Sequence, residues 1–150
     1  MADISVSEFA DKINEIIPVI LREFIKQQAN ELHKGKITLP QFLIMDFLSR
    51  QGESKMTVLA NFMNVTTAAM TGIVERLVRD GYVSRINDKA DRRVINIKLT
   101  AKGSSLVKRI TEQKNDMVIK TFGRISGNDR AEYLRILTNI KDILIKDRVD

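Results

Sequence analysis

A charge-dense, turn-prone segment lies between two short β-prone runs, and it narrows the folds open to this chain more than anything else. The runs are Tyr82 to Ile86 and Val94 to Leu99, and Asn87-Asp88-Lys89-Ala90-Asp91-Arg92-Arg93 separates them. Valine, isoleucine and tyrosine favour extended backbone, whereas Asn and Asp divert the chain by bonding to their own backbone. The pattern therefore predicts a β-hairpin with a long polar tip. Lys89, Arg92 and Arg93 are the cations that such a tip thrusts into solvent. Just upstream, Met70, Ile73, Val74 and Leu77 recur at i, i+3, i+4 and i+7, the buried stripe of an amphipathic helix. Thr66 is its expected N-cap, and Gly81 follows Asp80 as a C-cap.

Elsewhere the periodicity is helical. A first helix is expected from near Ser5 or Ser7 to about His33, with Pro18 kinking it or marking a restart and Gly35 closing it. Thr38 reads as an N-cap with Pro40 in the first turn, followed by Phe42, Leu43, Phe47 and Leu48 and ended by Gly52. A short third helix spans about Lys55 to Met63, with Leu59 and Ala60 inward, and Asn64-Val65 makes a tight turn into the helix capped by Thr66. Thr100 caps a long helix to about Phe122. Ser126 starts the last, where Tyr133, Leu137, Ile140 and Leu144 keep the period. The expected class is mainly α with a small β-hairpin. Two short helices, a tight turn and a hairpin follow winged helix-turn-helix order.

A chain of 150 residues is about one domain. It has no cysteine, which excludes disulfides, thiolate metal sites and thiol redox sensing, and its one histidine, His33, excludes an imidazole-rich metal site. No metal or cofactor is expected, and neither a phosphate loop nor a nucleophile with a partner is visible, so an enzyme is not expected. No apolar run reaches the ~20 residues of a membrane span and no secretory leader is visible, so the expectation is a cytoplasmic protein with no membrane partner. The net charge is +6. Between Thr66 and Arg109 ten Lys/Arg face four Asp/Glu, while the remainder carries fifteen of each. The whole positive excess thus lies on the helix and hairpin, as expected of a surface for a polyanion such as double-stranded DNA. A solvated face of no special role is the plainer alternative.

Several residues carry a resemblance at this point. They are Thr38-Leu39-Pro40-Gln41-Phe42, Leu59-Ala60, Thr71, Val74, Arg76-Leu77 and Gly81-Tyr82-Val83. Most specific is Arg85-x-x-Asp88-x-x-Asp91-Arg92-Arg93, then Leu99-Thr100-Ala101-Lys102-Gly103. With helix order agreeing over nearly the whole chain, the sequence resembles the MarR/SlyA-type transcriptional regulators. The resemblance implies a single domain over 1–150, a winged helix DNA-binding lobe over 36–100, and dimerisation helices over 1–35 and 101–150. It also implies a homodimer on a pseudo-palindromic operator, acting as a repressor. The recognition helix, about 66–80, would lie in the major groove, and the wing, about 87–93, in the minor groove. A small aromatic or anionic effector can be part of such a system. Arg22, His33 and Arg50 are conceivable anion partners, although each also reads as an ordinary surface residue.

Setting the apolar stripe inward places Ala68, Gly72, Glu75 and Arg79 opposite it, flanked by Thr71 and Arg76. Thr67, Ala68 and Thr71 are the candidates for base edges, because recognition helices read bases from their N-terminal half. Thr66 is a cap whose first-turn amides can also hold a phosphate. Arg76 and Arg79 suit phosphates, and Glu75 suits an i,i+4 ion pair with Arg79. Gly72 allows either close approach to DNA or simple tolerance. Lys89, Arg92 and Arg93 complete the candidate contacts, and the resemblance places one arginine of the tip in the minor groove. Strand alternation would point Arg92 and Arg93 to opposite sides, leaving open which inserts. Asp91 is expected to brace Arg85 or a neighbouring arginine, and Asp88 and Asp91 are also turn formers. Two other functions use the same surfaces: a nucleoid-type binder of low specificity, and a winged helix for protein–protein contact.

Overall fold

The computed structural model describes residues 4–27 and 36–147, and the chain divides into two compact units, Met1–Gln113 and Lys114–Asp150. The first helix, α1, is Val6–Gln27 with Pro18 inside it. No restart occurs at Pro18. The expected end near His33 and the stop at Gly35 lie outside the described residues. No side chain described in α1 is buried, and Phe9, Ile16, Ile20 and Ile25 are all exposed.

The core belongs to the helices and sheet that follow. α2, Leu39–Gln51, opens with a capping box in which the Gln41 amide donates to Thr38 Oγ1 at 3.4 Å and the Thr38 amide donates to Gln41 Oε1 at 2.8 Å. Its inner face is Phe42, Ile44, Met45 and Leu48, while Leu43 is exposed. This helix is apolar nearly all round, so periodicity alone cannot choose its face. After Gly52 the backbone extends into β1, Ser54–Lys55, which pairs antiparallel with β3. The sheet is therefore three-stranded, in the order β1-β3-β2, with β2 at Val83–Asn87 and β3 at Ile95–Leu99. Two residues cannot display an alternation, which is why the hairpin alone was expected.

α3, Met56–Met63, ends at Asn64 with φ 52°, and the Val65 amide donates to the Ala60 carbonyl at 3.0 Å. Asparagine tolerates this left-handed geometry better than most residues. The next helix, α4, Thr67–Arg79, is inclined 107° to α3, the angle of a helix-turn-helix. Met70, Val74 and Leu77 are completely buried against Ile44, Met45, Leu59 and Ile97, and Ile73 packs partly against them. Burying each such side chain contributes about 1.5–3 kcal/mol, so this stripe fixes the rotation of α4 about its axis.

α5, Ala101–Phe122, buries Gly103, Leu106, Val107 and Ile110. In the second unit, α6, Gly127–Lys146, starts from Ser126, whose hydroxyl accepts from the Asp129 amide at 3.1 Å. Phe122 and Tyr133 stack with centroids 5.5 Å apart, and the Arg130 guanidinium donates to the Phe122 carbonyl. No residue of α6 is buried, and Leu134, Leu137, Ile140, Ile143 and Leu144 are exposed. No single helix among the described residues is long and apolar enough to cross a membrane.

Candidate nucleic-acid interface

With the apolar stripe of α4 inward, Thr67, Ala68, Gly72, Glu75, Arg76 and Arg79 are exposed and Thr71 is half-buried. Thr66 Oγ1 accepts from the Ala69 amide at 3.1 Å, which leaves its hydroxyl proton available outward. Thr71 Oγ1 donates to the Thr67 carbonyl at 2.8 Å, so its remaining capacity is that of an acceptor. A Cβ added at Gly72 would meet nothing within 4 Å, so the packing of the unit does not require glycine there.

The charged residues pair differently from the expectation. Glu75 Oε1 lies 3.9 Å from Arg85 Nη2 on β2, and Arg79 Nε lies 3.1 Å from Asp80 Oδ1. Across a folded unit, a residue on the neighbouring strand competes with the i,i+4 partner on the helix, and here it prevails. Glu75 thereby links α4 to β2 of the hairpin.

The tip of the hairpin is a turn and not a continuation of the strands. The Asp88 amide donates to the Val94 carbonyl at 2.8 Å, and Val94 donates back to the Asp91 carbonyl at 2.9 Å. Asp88 Oδ1 accepts from the amides of Ala90 and Asp91 at 2.8 and 3.2 Å, and Asp91 Oδ1 accepts from the Arg93 amide at 3.0 Å. Asp91 thus grips backbone rather than Arg85, because a short carboxylate in a turn reaches amides two residues on before any side chain. Strand alternation does not govern Arg92 and Arg93, because both lie in the turn, ahead of β3. Lys89, Arg92 and Arg93 are exposed, and among the described residues neither they nor Arg76 has an ion-pair partner. The Ala90 amide above all, then those of Asp91 and the Asn96 side chain, holds the Asp88 carboxyl below the ordinary aspartate range.

Two supports hold this surface: a buried polar residue that the sequence marks only weakly, and a joint whose caps at Gly81 and Thr100 the sequence anticipates. Asn96 on β3 is buried, and its Nδ2 donates to Asp88 Oδ2 at 3.1 Å. A lone polar residue in a β-prone run gives only the hint that its face of the strand is not apolar. The second support ties the ends of α4 and α5 together. Gly81, at φ 79°, donates to the Val78 carbonyl and Tyr82 to that of Leu77, a Schellman motif. Thr100 Oγ1 donates to the Gly81 carbonyl at 2.6 Å and accepts from the Gly103 amide at 3.1 Å. Lys102 Nζ donates to the Asp80 carbonyl at 2.7 Å and lies 4.6 Å from the centre of the Tyr82 ring. A Cβ at Gly103 would fall 2.1 Å from the Tyr82 carbonyl oxygen, so Leu-Thr-x-x-Gly is a packing requirement of this joint.

Of the conceivable anion partners, two are among the described residues, and each already has an acidic neighbour. Arg22 sits 3.6 Å from Glu23 on α1, and His33 lies outside the described residues. Arg50 pairs with Asp46 at 2.9 Å and lines an open cleft of about 300 Å³ with Lys108 and Glu112, a lining of balanced charge. No group of three or more His, Cys, Asp or Glu that could hold a metal occurs among the described residues.

Comparison with known proteins agrees with this architecture. The MarR family model matches residues 37–95, from just before α2 to the first residue of β3. The HTH-type transcriptional regulator FarR of Neisseria gonorrhoeae is 30% identical over 116 residues, 75% of this chain and 80% of FarR. YpoP of Bacillus subtilis, an uncharacterized HTH-type transcriptional regulator, is 27% identical over 124 residues, 81% of this chain and 88% of YpoP. The crystal structure of Streptococcus pneumoniae FabT in complex with DNA superposes with a TM-score of 0.80 at 23% identity, covering 91% of this chain and 98% of that one. With its helix-turn-helix, its three-stranded wing sheet and these relatives, the chain belongs to the MarR family of HTH-type transcriptional regulators.

Proposed function

We propose that this protein is a homodimeric, site-specific DNA-binding repressor whose α4 enters the major groove and whose wing, 87–93, enters the minor groove. The observation that carries the reading is the pairing of an exposed, small-residue face on α4 with three unpaired cations on the wing. Both belong to the segment that holds the entire positive excess of the chain. Thr67, Ala68 and Thr71 face base edges, with Thr71 as an acceptor for an exocyclic amine and Ala68 as a small apolar surface for a thymine methyl. Thr66 and the first-turn amides, together with Arg76, hold phosphates. Arg79, partnered by Asp80, is a secondary phosphate contact. Lys89, Arg92 and Arg93 reach into a narrow groove, where negative potential is concentrated.

The uncovered apolar faces of α1 and α6 support assembly of two chains, which places two recognition helices on a pseudo-palindrome. Repression follows by occupancy, since a dimer lying across its site excludes other proteins from it. The test is recovery and sequencing of genomic DNA bound by purified protein at about 150 mM salt, beside the double variant Arg92→Ala/Arg93→Ala. A pseudo-palindromic motif recovered by the wild type and lost in the variant is the expected result. Diffuse recovery would favour the nucleoid-type reading, and absence of recovery would redirect the search to protein partners.

A further inference from the structure

The feature left unexplained by the DNA contacts themselves is Asn96. β3 is the central strand, with Asn96 opposite Lys55 on one side and Ile86 on the other, so its backbone is held by both neighbours. Side chains alternate along a strand. Ile97 is completely buried in the core of the lobe, which puts Asn96 on the opposite face of the sheet. Even there it is only 5% exposed, and its known neighbours are polar. Its Nδ2 donates to Asp88 Oδ2 at 3.1 Å and lies 3.5 Å from Glu53 Oε1, beside β1. The other oxygen of Asp88 accepts from the amides of Ala90 and Asp91.

Hydrogen bonds therefore run without a break from the middle of the sheet to the tip of the wing. An aspartate turn alone would hold Ala90 and Asp91 to Asp88 while leaving that carboxylate free to swing at the end of β2. An asparagine serving only the core would have no reason to point away from it.

We propose that Asn96 is the positioning residue of the wing: from the doubly paired central strand it holds the Asp88 carboxylate, and through it the posture of Lys89, Arg92 and Arg93 against DNA. This rests on the wing contacting DNA as proposed above. A tip held in one posture meets the groove already ordered, whereas a loose one must be ordered at the moment of binding.

Asn96→Leu replaces the amide with an apolar side chain of similar size, and Asp88→Asn keeps the turn while removing the carboxylate that Asn96 holds. Three quantities separate the possibilities: thermal stability, hydrogen exchange of the amides of residues 88–94, and affinity for a fluorescent duplex selected from a random pool by the wild-type protein. For Asn96→Leu we expect unchanged or higher stability, faster exchange at Ala90 and Asp91 with α4 protected as before, and affinity about tenfold weaker. Asp88→Asn should also loosen the tip and weaken binding, although removing a negative charge would by itself tighten it. Wild-type exchange at the tip in both variants overturns the proposal, as does a loosened tip with wild-type affinity. Should Asn96→Leu fail to fold, Asp88→Asn decides alone, because Asp88 is not part of the core. The Arg92→Ala/Arg93→Ala protein separates the two levels. If it binds as the wild type does, the wing reading falls and takes this proposal with it. If it binds weakly while the Asn96 and Asp88 variants do not, only the role of Asn96 is lost.

Discussion

Two glycines in successive helices, Gly72 and Gly103, sit in opposite surroundings. Gly72 sits in mid-helix with open space around its missing Cβ, whereas Gly103 has the Tyr82 carbonyl oxygen where a Cβ would go. Glycine weakens a helix interior relative to alanine, so Gly72→Ala should raise stability by about 0.5–1 kcal/mol. If α4 lies close to DNA at this point, the same methyl should weaken binding. Denaturant melting and a binding titration on one sample check both signs, and tighter or unchanged binding would show that the glycine is merely tolerated. Gly103→Ala should behave oppositely. It forces the start of α5 away from Tyr82 and should lower stability by about 1–3 kcal/mol, seen as an earlier denaturation midpoint.

At the scale of elements, the wing should be an acid-sensitive part of the lobe. Three donors favour the ionised form of Asp88, so its folded-state pKa lies below the unfolded value. Its contribution is complete above the unfolded pKa and is lost as pH falls through the folded one. Acidification below the ordinary aspartate range should therefore loosen residues 88–94. Chemical shifts of the Ala90 and Asp91 amides should titrate with this group, and an invariant spectrum over that window would remove Asp88 as the holder of the tip. The elements themselves were legible in proportion to their length. α4 and its stripe could be read because thirteen residues give the helical period room to repeat. β1 could not, because Ser54–Lys55 has no period, and its pairing depends on a strand some forty residues away in sequence. The face of α2 was obscured because its apolar residues are spread all round the helix. In the candidate site, exposure of the α4 face followed directly from the stripe. The partners of Glu75, Arg79 and Asp91 did not, because they were decided by what the fold brought alongside.

At the scale of the whole molecule, the terminal helices explain a composition that one lobe cannot use. α6 has no buried residue, and α1 has none among its described side chains, yet α1 carries a row of Ile, Leu and Phe and α6 a row of Ile and Leu. Contiguous apolar surface of this kind marks an interaction site. Light scattering should give about twice the chain mass of 17.1 kDa. Leu137→Asp/Leu144→Asp, on the exposed side of α6, should return the mass to that of one chain and weaken operator binding, because two half-sites would no longer be engaged together. A wild-type protein that stays single at micromolar concentration would exclude assembly through these faces. Within each chain, α4 keeps its duties apart: Met70, Val74 and Leu77 hold the fold, while Thr67, Ala68 and Gly72 lie open to solvent. Substitutions on that outer row leave the scaffold intact, so if this row reads DNA as proposed, descendants of this protein can acquire a new target site by a few such changes without first passing through an unfolded ancestor.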